Sequence, residues 1–240
     1  ADILGNIYEM YLAFILHETP KGVKLEGGKT HRKEQGIYYT PTYVVDYIVK
    51  NTLGELLKNK KIDVSKIKAL DLACGSGSFL IKTFDHFSIY YEKKLGKTHQ
   101  TTLSEISSGL FTRKAKILKE NIYGVDLDPK AVEIAQLNLL LKLAEKRRRL
   151  PTLRRNIKKG NSLIDNQSII KEKAFVWKEE FEEVENSGGF DVIVGNPPYV
   201  FTRNKEFTDS EKEYFKKHYL NRIELKSKSL AIQSGKYNLF

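Results

Sequence analysis

The chain has one cysteine and no long uncharged apolar run, and each scarcity excludes a class of protein. Cys74 alone can close no internal disulfide, which excludes a bridge-stapled scaffold and suits a reducing interior. No stretch approaches the roughly 18 to 20 uncharged apolar residues of a membrane span. The apolar start over residues 3–16 follows Asp2 and carries Glu9, where an export signal would want basic residues. We therefore expect a soluble, unexported, cytoplasmic protein with no membrane partner. None of the 5 histidines is paired at ligand spacing, so no metal site is expected. Acidic residues are outnumbered by basic ones, 30 to 41, and the net charge of +11 favours polyanionic partners unless it serves solubility alone. The charge is segregated: residues 142–159 hold Lys142, Lys146, Arg147, Arg148, Arg149, Arg154, Arg155, Lys158 and Lys159 against Glu145. That segment is either a solvated helix end and loop or a nucleic-acid contact.

With 40% hydrophobic residues in 240, the chain can bury a globular core. Leu4, Ile7, Tyr8, Tyr11, Leu12 and Ile15 keep the spacing of an amphipathic helix over residues 3–16. Residues 19–36, with Gly22, Gly27 and Gly28, show no period and read as a flexible connector. Residues 1–36 are thus a helical lead-in and linker, and residues 37–240 the main domain. Val44, Val45, Ile48, Val49, Leu53, Leu56 and Leu57 predict a helix over residues 42–57, with Pro41 near its first turn. Strands are expected at residues 68–73, 121–126, 156–159 and 190–195, with helices from 79 and 129 and a helical insertion at 88–120 tipped by polar residues 96–102. Alternating strands and helices argue a mainly parallel, Rossmann-like α/β sheet with ligands at the strands' carboxyl ends.

Asp71-Leu72-Ala73-Cys74-Gly75-Ser76-Gly77-Ser78-Phe79 puts two glycines between a strand and a helix, where backbone must approach a ligand closely. The third glycine of a dinucleotide fingerprint is missing, and the strand ends in an acid. A carboxylate there repels a pyrophosphate and attracts an ammonium, as on a methionine moiety. The second strand ends in Asp126, where such folds place the acid that holds ribose hydroxyls. Asp126 lies 49 residues beyond Gly77, against about 20 in the dinucleotide form, a gap the insertion would fill by folding outside the sheet. Asp128-Pro129 reads as a helix cap and first-turn proline.

Gly195-Asn196-Pro197-Pro198-Tyr199 follows the fourth strand. An aromatic amino group is a poor nucleophile because its lone pair is delocalised. The Asn196 side-chain oxygen and the Pro197 carbonyl can accept its hydrogens and favour a pyramidal, attacking nitrogen. The prolines stiffen these acceptors, and Tyr199 offers a stacking face for a flipped base.

The segment from Asp71 to Phe79 resembles motif I of the S-adenosylmethionine-dependent methyltransferases, and Asp126-Leu127 resembles their ribose-binding motif II. Tyr38-Tyr39-Thr40-Pro41 resembles motif X of the gamma-class adenine methyltransferases of restriction-modification systems, where it packs over the cofactor's methionine end. Leu4-Gly5-Asn6-Ile7-Tyr8-Glu9 and Arg32-Lys33-Glu34-Gln35-Gly36 are similar to the lead-in of the large type IIG and phage-defence members. Asn196 to Tyr199 resembles motif IV, whose leading asparagine is typical of adenine N6 enzymes. Asn161 stands where motif III often carries an acid that holds the cofactor adenine.

The resemblance implies an S-adenosylmethionine-dependent methyltransferase acting on adenine N6 of double-stranded DNA. It implies catalytic Asn196, Pro197, Pro198 and Tyr199. It implies cofactor contacts from Tyr39, Thr40, Pro41, Asp71, Ala73, Gly75, Gly77, Phe79, Asp126, Leu127 and Asn161. Phe201, Arg203, Lys205, Lys216, Lys217 and Arg222 are expected near DNA, or as ordinary surface residues of a helix over 210–219. The family's later strands and target-recognition domain are expected on a longer parent chain or a specificity subunit, leaving Asp191 to Val194 on an exposed apolar edge. RNA or protein-glutamine methylation, and a binding fragment without turnover, remain alternatives.

Overall fold

The computed structural model describes residue 7 and residues 14–19, 22–27, 40–95, 103–144, 148–170, 174–197 and 207–219. The first elements are β1 (Phe14–Thr19) and β2 (Gly22–Gly27), an antiparallel pair with Phe14 opposite Gly27 and Thr19 opposite Gly22. The helix expected through residue 16 and the connector expected from residue 19 are corrected at these positions. Val23-Lys24-Leu25-Glu26 alternates apolar and charged residues, a period of two that suits a strand. The opening residues of the expected helix lie outside the described residues, except Ile7.

Helix α1 (Thr42–Asn51) buries Val45 and Val49 and ends at Thr52, whose hydroxyl donates to the Ile48 carbonyl at 2.8 Å. This back-bonding competes with the helix ladder. The single helix expected over residues 42–57 is accordingly split, with α2 covering Leu53–Leu56.

The sheet comprises β3 (Ala69–Asp71), β4 (Ile122–Asp126), β5 (Ile157–Lys159) and β6 (Val192–Ile193), all parallel, in the order β5-β4-β3-β6. Strand alternation sends Ala69, Ile122, Ile157, Val192 and Val194 into the main core and Leu70, Tyr123 and Val125 into a second core on the other face. The second core is aromatic: Tyr123 meets Phe181 and Phe190 edge-on at 5.5 and 5.4 Å, and Phe175 meets Trp177 at 4.8 Å. Gly160 abuts this core, since a Cβ there would lie 2.4 Å from Phe175 Cδ2. Gly160→Ala should therefore lower unfolding stability by about 1 to 3 kcal/mol through overpacking, measurable as an earlier denaturation midpoint.

Two long helices join β3 to β4: α3 (Ser78–Leu95) and α4 (Leu103–Glu120). Phe84, Phe87 and Tyr91 of α3 and Phe111, Ile117 and Leu118 of α4 are buried in the main core. The insertion does not fold away from the sheet; it forms a double-helix crossover that covers it. This explains the length between the glycine turn and Asp126, while the expected polar tip at 96–102 lies outside the described residues. Helix α5 (Pro129–Leu143) leads toward β5, capped by Asp128, whose carboxylate accepts from the Lys130 amide at 2.9 Å. Short helices α6 (Trp177–Glu180) and α7 (Glu182–Asn186) precede β6.

Strand β6 is shorter than expected and has one sheet neighbour among the described residues. The Asp191 carboxylate accepts from the Lys68 amide at 2.8 Å and seats the strand, and the Val194 amide still reaches the Leu70 carbonyl at 2.9 Å. Pro197 then offers no N–H to continue the ladder. Ile193 is 60% exposed. Helix α8 (Asp209–His218) is capped by Thr208 and Glu211 in a reciprocal box. Its Tyr214 and Phe215 pack on Ile164, with the Tyr214 hydroxyl on Asp165 at 2.6 Å. No helix among the described residues is long and apolar enough to cross a membrane.

Candidate functional site

The chain leaves β3 toward β4 on one side and reaches β6 on the other, so the strand order reverses between β3 and β6. In open α/β sheets a crevice forms at the carboxyl ends of such a pair. There the two strand ends nearly touch: a Cβ added at Gly195 would stand 2.6 Å from Asp71 Oδ1. Glycine at 195 is what allows the loop after β6 to lie against the acid that ends β3.

The glycine turn after β3 is held from several sides. Gly75 and Gly77 have φ of 52° and 90°, the left-handed region that side chains disfavour. Nothing lies within 4 Å of a Cβ placed at Gly75, so that turn faces open space. Gly77 instead packs on α5, with Ala135 Cβ at 3.1 Å from such an atom. The Cys74 amide donates to the Val125 carbonyl at 2.9 Å and the Gly75 amide to Asp126 Oδ2 at 2.8 Å. Asp126 Oδ1 accepts from the Asp128 amide at 2.9 Å. The turn and the acid ending β4 are therefore one hydrogen-bonded structure.

Asn138 was not singled out by the sequence reading. It is 1% exposed, and its Nδ2 donates to the Ser76 carbonyl at 3.0 Å, holding the turn from behind. A polar residue one turn from Ala135 within an otherwise apolar helix stripe was the available signal.

Asp71 is 2% exposed and accepts from the Ala73 amide at 3.0 Å. Burial pushes its carboxyl up to about 7, outweighing the Ala73 bond, and the like charge of Asp126 adds to the rise. Burial likewise raises Asp126, opposed by the Asp128 and Gly75 amides, and pushes the Cys74 thiol up. A desolvated carboxylate beside a second one is a fitting place for a cationic ligand group. Because the folded protein holds the Asp71 proton more tightly than the unfolded chain, the group's contribution to stability is fully present below its ordinary value of 3.8 and is lost as pH rises to about 7. The ligand-free wild type should thus lose melting temperature across that window, and Asp71→Asn should flatten the slope.

Asn196, the head of the loop after β6, donates from Nδ2 to Thr40 Oγ1 at 2.9 Å. Thr40 immediately precedes Pro41, whose carbonyl accepts the Val44 and Val45 amides of α1. The expected target-base loop and the expected cofactor segment thereby meet across 156 residues. Ala73 and Leu127 lie on the loops after β3 and β4, with Leu127 47% exposed. Phe79 differs from these, since its ring is buried in the main core. Asn161 Oδ1 accepts from the Leu163 amide at 3.0 Å, so its side chain shapes the turn after β5. Tyr39, Pro198 and Tyr199 lie outside the described residues, as do Phe201, Arg203, Lys205 and Arg222. Lys216 and Lys217 are exposed on α8.

Part of the basic segment is used internally. Lys142 pairs with Asp85 at 2.8 Å, Arg148 sits 4.8 Å over the Phe111 ring, and Lys158 pairs with Glu180 at 2.8 Å. Arg149, Arg154, Arg155 and Lys159 are exposed. Among the described residues, no group of three or more histidine, cysteine or acidic side chains could hold a metal ion.

Residues 120–231 match the family described as Eco57I restriction-modification methylase. The whole chain is 36% identical to 24% of the type II restriction enzyme and methyltransferase RM.Eco57I of Escherichia coli. Over 77% of its length it is 25% identical to the adenine-specific methyltransferase PglX of Streptomyces coelicolor, covering 16% of that protein. The chain thus spans about a quarter or less of these relatives. Its fold is similar to that in a DrdV–DNA complex, with a TM-score of 0.52 and 22% identity over 82% of this chain and 18% of that one.

Proposed function

We propose that this chain, which belongs to the Eco57I restriction-modification methylase family, transfers a methyl group from S-adenosylmethionine to adenine N6 in double-stranded DNA. The observation that carries the reading is the placement of Asn196 on the loop after β6, bonded to Thr40 and directly following Gly195, which lies against Asp71, at the edge where Gly75 and Asp126 form a cradle.

The cradle fits the cofactor. Gly75 faces open space, Asp71 is a buried carboxylate suited to the amino group of a methionine moiety, and Asp126 is suited to ribose hydroxyls. Thr40 and Pro41 would close the methionine end, and Leu127, Ala73 and the turn at Asn161 would border the adenosine. Bound there, S-adenosylmethionine would supply an electrophilic sulfonium methyl group.

The work of the protein on the acceptor falls to Asn196 and Pro197. A target adenine flipped from the duplex, at a cost of about a few kcal/mol, would present its N6 hydrogens to the Asn196 side-chain oxygen and the Pro197 carbonyl. Those acceptors draw the nitrogen toward a pyramidal form and position its lone pair. The methylated amine is cationic and loses its proton to water, so no charged general base is required. We assign Tyr199 as the stacking face, Pro198 as a stiffener of the loop, and exposed Lys216 and Lys217 as neighbours of the DNA backbone, where they would make binding salt-dependent.

The relatives are far longer than this chain, and we place DNA target choice in further domains of a parent chain or in a specificity subunit. The proposed setting is the cytoplasm. The test is transfer from isotopically labelled S-adenosylmethionine to duplex DNA, structured RNA and glutamine-bearing protein offered in parallel. Label in DNA alone is expected; label in RNA or protein with none in DNA would overturn the assignment.

A further inference from the structure

On the reading that Asn196 receives the target amino group, we propose that Thr40 is a positioning residue whose hydroxyl holds the Asn196 amide with its oxygen toward the incoming base. An asparagine amide has a donor end and an acceptor end, and a half-turn about its last bond exchanges them. Only the oxygen end can accept from a base amino group; the nitrogen end would set donor against donor. Asn196 Nδ2 donates to Thr40 Oγ1 at 2.9 Å, so in this arrangement the hydroxyl oxygen is the acceptor, the donor end of the amide is engaged and Oδ1 lies on the other branch. Both residues are half-buried, which limits the water available to substitute for the hydroxyl.

The support for Thr40 is rigid. It adjoins Pro41, whose φ and ψ of −53° and 138° set the start of α1. Val45 and Val49, 1% and 0% exposed, anchor that helix in the main core. A hydroxyl carried on an anchored helix start can hold an amide orientation that a free loop would average out. Thr40 thereby acts on the acceptor base through Asn196, in addition to lying beside the cofactor.

The test compares wild type, Thr40→Val, Thr40→Ser and Thr40→Ala in the full chain. Four quantities are read: kcat and KM on adenine-containing DNA at saturating S-adenosylmethionine, cofactor Kd by calorimetry, and the side-chain amide 15N signals of Asn196, assigned by their loss in Asn196→Asp. Thr40→Val should lower kcat roughly 10-fold, the equivalent of one ordinary hydrogen bond. KM for DNA should hold, cofactor Kd should weaken by clearly less than the loss of rate, and the Asn196 amide signals should shift. Thr40→Ser should restore most of the rate and the signals, and Thr40→Ala should match valine, guarding against a fold disturbed by the branched side chain. Unchanged kcat and amide signals in Thr40→Val would overturn the proposal. So would a loss of cofactor affinity equal to the loss of rate, which would make Thr40 a cofactor ligand only. If the wild type methylated no adenine, the functional reading would fail by itself, and unshifted amide signals would still refute the role of Thr40.

Discussion

Asn196→Ala is expected to reduce methyl transfer by about 100- to 1,000-fold, the range seen when one preorganised hydrogen-bonding group is removed from a transition-state site. The loss should fall on kcat. Asn196 lies on the loop after β6 and contacts Thr40, whereas the cradle rests on Gly75, Asp126 and Asn138. Cofactor affinity should therefore stay within about twofold of wild type, because an interaction made only with the reacting amine does not contribute to ground-state cofactor binding. Single-turnover kinetics with calorimetry on the same preparation separates the two quantities. A parallel collapse of both would mean that Asn196 shapes the cradle.

Asp126→Ala should show the opposite split. Its carboxylate accepts the Gly75 amide at 2.8 Å and the Asp128 amide at 2.9 Å. Alanine would remove the partner for ribose hydroxyls and also release the turn that faces the ligand. Losing two hydrogen bonds to a charged group corresponds to about 100-fold or more in cofactor Kd. Asp126→Asn, which keeps one acceptor oxygen, should fall between. Equal affinity in wild type and Asp126→Ala would remove the ribose-binding role from this residue.

The parts of the site legible in the sequence are those set by local pattern. The glycines at 75 and 77 follow a short apolar run and precede a helical stripe, and they adopt the positive φ that only their position between strand and helix demanded. Three of the four sheet strands could likewise be read, because short apolar runs give way to turns and helical period just after the strands that begin at residues 69, 122 and 192. The hairpin at Phe14–Thr19 and Gly22–Gly27 was missed because Leu12 and Ile15 continue a helical stripe into residues whose neighbours alternate with period two.

Long-range placement was less accessible. The role of residues 88–120 in the core depends on Tyr91, Phe111 and Ile117 meeting across two helices, which periodicity alone does not reveal. The Thr40 to Asn196 bond joins positions 156 residues apart, and the Asn138 bond to Ser76 joins positions 62 apart. Neither follows from spacing. Asn138 could be suspected only as a polar interruption of an apolar stripe. Phe79, next to the turn in sequence, turns its ring into the core, as do the two residues that follow it in α3, Leu80 and Ile81.

The central claim is that the loop headed by Asn196 delivers the amino group of adenine. It is tested most directly by digesting DNA methylated by the protein to nucleosides and identifying the modified one by mass and chromatography. N6-methyldeoxyadenosine, lost in Asn196→Ala, is the expected product. A methylated cytosine, or the same methyladenine yield from Asn196→Ala, would contradict it.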